Sequence, residues 1–201
     1  MLARPDYGGR WKTKPLGNLT GKRAMANISE TASGPKFQIF RAREGLPYAE
    51  AEVMHAEAFP PVAAENWPKL SAAGFEAGSE VTLLFSVPGM SLTYVWFKSG
   101  LPLPRHSHSA DCLYYIIAGS LDIGAETLQG GDGFFIGADV PYAYTPGEQG
   151  VELLEFRTSN SFDIRFLAEN PAFWSKGVAE VQRRQAAWAS EGRPTASRAS
   201  E

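Results

Sequence analysis

Two imidazoles one residue apart are the first side chains in this sequence that invite a chemical reading. The stretch RHSHSADCLYYIIAGS, residues 105–120, carries His106 and His108, two of the three histidines, with the only cysteine, Cys112, four residues further on. On an extended strand, residues two apart point to the same face. If 105–109 is extended, the two rings project together, close enough to hold one metal ion. Imidazole suits zinc, copper, iron and nickel alike, so the pair does not choose among them. The plain alternative is two polar residues in a loop. Cys112 has the same two sides: a thiolate ligand once a metal has deprotonated it, or the small buried hydrophobe that a free cysteine usually is.

The elements that must position these groups are short. From about residue 79, SEVTLLFSV, SLTYVWFKS, CLYYIIAGSLDIGA, GFFIGA, PYAYT and VELLEFRT are β-branched and aromatic runs. Breakers (PG, SG, GG and PGEQG) separate them at the spacing of an all-β barrel or sandwich. If Cys112 faces inward, alternation turns Tyr114 and Ile116 inward and Leu113, Tyr115 and Ile117 outward. Tyr142 and Tyr144 share a face, as do Tyr94 and Trp96, so the expected pocket is largely apolar with a few hydroxyls. Rings that simply fill a core fit the pattern equally well. Asp111 should turn away from the face of Cys112. Arg105 and Lys98 stand near the expected mouth, where an anion could meet them, and His55 is isolated.

Outside this region, residues 1–34 lack periodicity and read as an arm or tail, with Tyr7 and Trp11 available to dock on another surface. Residues 35–79 form an extension. In it KFQIFRA (36–42) alternates like a short strand, and 47–59 reads as a helix with Val53, Met54 and Phe59 inward, stopped by Pro60-Pro61. The barrel is assigned to 80–165 and a C-terminal helix and tail to 166–201. Asn170-Pro171 is a helix start, Trp174, Val178, Val181 and Trp188 recur at near-helical spacing, and the end from about Glu191 should fray.

The 201 residues, 44% hydrophobic and 12% aromatic, are enough for one globular domain with a substantial core. A net charge of −3, with no basic stripe, gives no footprint for nucleic acid. No apolar run approaches the roughly 20 residues of a membrane span. The opening residues have no apolar core of a secretory signal, and one cysteine allows no internal disulfide. A cytoplasmic protein is the expectation.

The spacing Gly100, five residues, His106, one, His108, three, Cys112, six, Gly119 resembles the first motif of the cupin family. The stretch Gly131-Asp132-Gly133 through Val140-Pro141-Tyr142 resembles its second. The likeness covers about residues 80–160. It implies an all-β, jelly-roll-like double-stranded barrel, here with the N-terminal arm and C-terminal helix, often dimeric, with a metal and substrate pocket inside. It implies no particular reaction. Two family ligand positions differ: Cys112 stands at the glutamate and Tyr142 at the third histidine.

The resulting expectation is a metal-dependent enzyme acting on a small organic molecule, of dioxygenase, lyase or isomerase type. A divalent ion (Fe, Zn, Ni, Mn or Cu) would be held by His106 and His108, joined by Cys112 or Tyr142, with open positions for substrate. Tyr142 or Tyr144 would serve as base or hydroxyl donor. The alternative is a non-catalytic sensor or carrier, metal-free if the altered ligand set has lost the ion. The arm and the exposed strand edges point to a homodimer.

Overall fold

The computed structural model describes residues 34–198. The expected arm, with Tyr7 and Trp11, lies outside the described residues except for Gly34. Within them ten strands and three α-helices follow in order: β1 (Leu46–Pro47), β2 (Met54–Ala56), α1 (Pro61–Ala72), β3 (Ser79–Val87), β4 (Met90–Phe97), β5 (His106–His108), β6 (Cys112–Ile123), β7 (Glu126–Gln129), β8 (Gly133–Ile136), β9 (Thr145–Arg157), β10 (Phe162–Phe166), α2 (Pro171–Trp188) and α3 (Pro194–Arg198).

The strands form two sheets. The larger runs β1-β3-β4-β9-β6-β7, with β8 also on β6; the smaller runs β2-β10-β5. Pairing is antiparallel except between β2 and β10. Alternation along β6 sets the core. Cys112, Tyr114, Ile116 and Ala118 are buried, while Leu113 and Tyr115 are about half exposed. With Val95, Leu121, Tyr142, Tyr144, Val151 and Leu153 the inward residues make one aromatic-rich cluster. Gly119 has a positive φ of 75°, and a Cβ there would stand 2.1 Å from the Gly150 carbonyl oxygen, so the close approach of β6 and β9 requires glycine.

A second core lies beneath the helices. Asn170 caps α2, its side-chain oxygen accepting the Ala172 N–H at 3.0 Å, and Pro171 follows at the first helical position. Trp174, Val181 and Trp188 are fully buried, packed with Leu70 of α1 and with Leu101.

Three expectations change. Residues 36–42 form no strand; Phe37 and Ile39 are exposed, and alternation without a paired neighbour does not make a ladder. Residues 47–59 hold a short 3-10 turn and β2 rather than a helix, and Pro60-Pro61 opens α1 instead of closing a helix. Proline at the first helical position loses no hydrogen bond, so the same dipeptide that ends one helix can start the next. Nor is the chain loose at Glu191 and Arg193. Glu191 accepts the Ser99 N–H and hydroxyl at 2.8 and 2.7 Å, and Arg193 lies over Tyr94 and Trp96. Among the described residues no helix is long and apolar enough to cross a membrane.

Candidate functional site

Strand β5 is buried at all three positions. It pairs with β10 on one side, His108 opposite Ile164 and His106 opposite Phe166. On the other side His106 meets Tyr142 in an isolated bridge, with reciprocal N–H to carbonyl bonds of 3.0 and 2.9 Å. The two stretches singled out in the sequence are therefore joined backbone to backbone.

Their side chains converge. The His106 and His108 ring centroids are 5.0 Å apart, and the Tyr142 ring is 4.5 Å from His106 and 6.2 Å from His108. The Tyr142 and Tyr114 hydroxyls share a short hydrogen bond, and Tyr144 stacks on Tyr142 at 6.3 Å. Cys112 is on the inward face, but the polar partner of its sulfur is its neighbour's carbonyl, Leu113 O, at 3.9 Å. Asp111 turns away and accepts the Ala138 N–H at 2.7 Å. Lys98 is tied to the Trp188 carbonyl, Arg105 is exposed, and His55 meets the Ser161 hydroxyl at the surface. Tyr94 and Trp96 share a face as expected, but it is the outer one, beneath Arg193.

One pair was not foreseen. Glu155 and Arg157 point into the barrel, 8% and 3% exposed, and form an ion pair there. The Arg157 guanidinium lies 4.6 Å from the Phe162 ring centre, the ring that His108 meets edge-on at 5.5 Å. The signal was available: in VELLEFR both charges are in phase with Val151 and Leu153. Charged side chains are ordinarily solvated, so their type masks what their phase shows.

Burial dominates the electrostatics. It pushes His106 and His108 down, His108 to about 2, with Arg157 adding to the effect on both, so both rings are neutral. Burial also pushes the Tyr114, Tyr142 and Tyr144 phenols up and the Cys112 thiol up to about 12. The phenols are held protonated, which suits hydroxyl donors and opposes a tyrosine base.

The imidazoles suit a divalent ion. Each Nδ1 lies against a backbone carbonyl, Pro104 at 2.7 Å and Asp163 at 3.2 Å. A carbonyl only accepts, so in each neutral ring Nδ1 carries the proton and the Nε2 lone pair is free, the arrangement that orients metal-binding histidines. The rest of the donor set fits less well. Among the described residues no three His, Cys, Asp or Glu side chains come together to hold an ion. Two imidazoles can hold one only if water or a bound molecule completes its shell.

The His-x-His strand, the Gly-Asp turn before β8 and the Pro-Tyr step bridged to His106 sit on a two-sheet antiparallel barrel in the arrangement that the two motifs imply. That arrangement resembles the cupin fold.

No family model and no curated protein matches the chain. Among solved structures, this fold is similar to KdgF from Halomonas sp., at 18% identity over 40% of this chain and 79% of that one, with a TM-score of 0.38. It is similar to the polyketide cyclase RemF from Streptomyces resistomycificus, at 18% identity over 49% and 79% and a TM-score of 0.43. An RmlC-like cupin from Shewanella frigidimarina is also 18% identical, over 41% and 78%, with a TM-score of 0.36. Likeness at this level transfers no activity to this chain.

Proposed function

We propose that the barrel is the site of a small-molecule enzyme in which His106 and His108 hold a divalent first-row metal through Nε2. The observation that carries this reading is the pair of Nδ1 bonds to backbone carbonyls, which leaves the Nε2 lone pair free on each of two buried rings 5.0 Å apart. When bound, the ion supplies Lewis acidity or, if iron, redox chemistry at open positions. The chain's own residues bind and orient. Tyr142, hydrogen-bonded to Tyr114, offers a hydroxyl beside the imidazoles, and the stack of Tyr142 and Tyr144 excludes water. Cys112 would join the shell only as a metal-bound thiolate, since burial alone keeps it a thiol. A cytoplasmic setting and a homodimer belong to the same reading. They are supported by the lone free cysteine and by the apolar outer face of β6.

The test is elemental analysis of protein purified without added metal, beside the His106→Ala/His108→Ala double variant. About one ion per chain in the native protein, lost in the variant, is the expected result. Content far below that and unchanged in the variant overturns the metal. A metal-free sensor or carrier is then the better account, and one observation favours it: the buried Arg157 already places a cation beside the histidines. Ligands that emerge chemically unchanged, with and without O₂, would decide for it.

A further inference from the structure

The Arg157 guanidinium is paired on one side only. Nη1 donates to Glu155, Nη2 reaches the Tyr114 hydroxyl at 3.5 Å, and among the described residues the buried Nε has no acceptor. Nε and Nη2 form the side-on edge of the fork, whose two parallel N–H bonds match the two oxygens of a planar carboxylate. The one contact on that edge is long, and the Tyr114 hydroxyl is already engaged with Tyr142. Glu155 anchors the guanidinium from its remaining nitrogen, which keeps the cation buried and charged while the opposite edge stays available.

A second donor lies nearby. Among the described residues the buried Tyr48 hydroxyl makes no well-formed hydrogen bond, the Thr93 side chain being the polar group beside it. Tyr48 packs on the cluster of Val53, Leu83, Ala110 and Phe162, and Arg157 lies over that same Phe162 ring. The charge of Arg157 is felt at the Tyr48 phenol, where it opposes the upward push of burial. A buried donor without a good acceptor is costly, so two in one region of the barrel call for an acceptor there. Phe162 also carries His108 on its edge, which sets this acceptor position beside the histidine pair.

We propose that the Nε/Nη2 edge of Arg157, with the Tyr48 hydroxyl, receives the carboxylate group of the small molecule that this barrel takes. The proposal rests on the barrel being a small-molecule site, and it does not require the metal. It makes the substrate class a small carboxylic acid, held by its charged end at Phe162 with its remaining atoms directed toward His106, His108 and Tyr142.

The probe is formate, the smallest carboxylate and hard to exclude by shape, added to EDTA-treated protein labelled with ¹⁵N-arginine. The Arg157 Nε–H resonance is identified by its loss in Arg157→Lys. It should shift saturably with millimolar formate and stay still with formamide, which has the shape without the charge. Tyr48→Phe should weaken formate binding severalfold and leave the fold unchanged. Should Arg157→Lys fail to fold, Tyr48→Phe carries the test, because it removes one oxygen only. The shift should persist in His106→Ala/His108→Ala, so failure of the metal reading leaves this result standing. No shift up to about 0.1 M formate, an equal shift with formamide, or full affinity in Tyr48→Phe would mean that water alone fills the edge, and overturns the proposal.

Discussion

His106 and Tyr142 are locked opposite one another: each donates its backbone N–H to the other's carbonyl, and their rings, tilted by 57°, stand 4.5 Å apart. The position of the Tyr142 side chain relative to the histidines is therefore set by main-chain bonds, which a side-chain substitution does not remove. Its hydroxyl is bonded to that of Tyr114.

Tyr142→Phe isolates that hydroxyl. The ring volume is kept, so packing changes little, but Tyr114 loses its short partner and is left with weaker contacts such as the long one to Arg157. We expect a loss of about 1–2 kcal/mol in urea unfolding. If the barrel is an enzyme, removing this proton donor beside the imidazoles should lower turnover by about 10²–10⁴-fold. In a binding module it should cost no more than one hydrogen bond of ligand affinity, about 0.5–1.5 kcal/mol. A turnover unchanged by the substitution would remove Tyr142 from the chemistry.

Acid should destabilise the metal-free protein through His108. Burial, reinforced by Arg157, holds the folded value at about 2, against about 6.5 in an unfolded chain. Above about pH 6.5 the group is neutral in both states and contributes its full stabilisation. Below that the unfolded chain takes up a proton that the folded one refuses, so stability falls as pH falls, by up to about 1.4 kcal/mol per pH unit. His106 is shifted the same way and adds to the slope. The measurement is the urea midpoint of EDTA-treated protein from about pH 7.5 to about pH 5, beside His108→Gln. The native curve should fall more steeply; parallel curves would show that His108 is not held neutral.

What was legible in the sequence was what depends on period. Alternation placed Cys112 and Tyr114 inside and Leu113 and Tyr115 outside, and Asn170-Pro171 marked the start of α2, because both signals are local. The histidine pair was legible too, since residues two apart share a face in any strand. What escaped depends on partners far along the chain. Residues 36–42 alternate but find no neighbouring strand, and the same prolines that stop a helix also start α1. Glu155 and Arg157 escaped for a different reason. A charge inside a barrel is tolerable only when each pairs with the other, and neither residue type alone announces that it will be buried.

The outer face of the same sheet carries the last prediction. Leu113 on β6 stands opposite Phe156 of β9 on one side and Phe135 of β8 on the other, so three apolar side chains form a row across three strands. They are 51%, 39% and 62% exposed, and Met90 borders the same surface depression. An exposed apolar row of this kind, contiguous rather than scattered, is what a protein interface covers. We expect a homodimer through this face, with light scattering at micromolar concentration giving twice the chain mass. Leu113→Asp should yield monomers, because a dimer would have to bury two carboxylates without partners. The barrel interior should be unaffected, since Leu113 points away from the face of Cys112 and Tyr114. A monomeric native protein would sink the prediction, as would an Asp variant that remains dimeric, which would move the interface elsewhere.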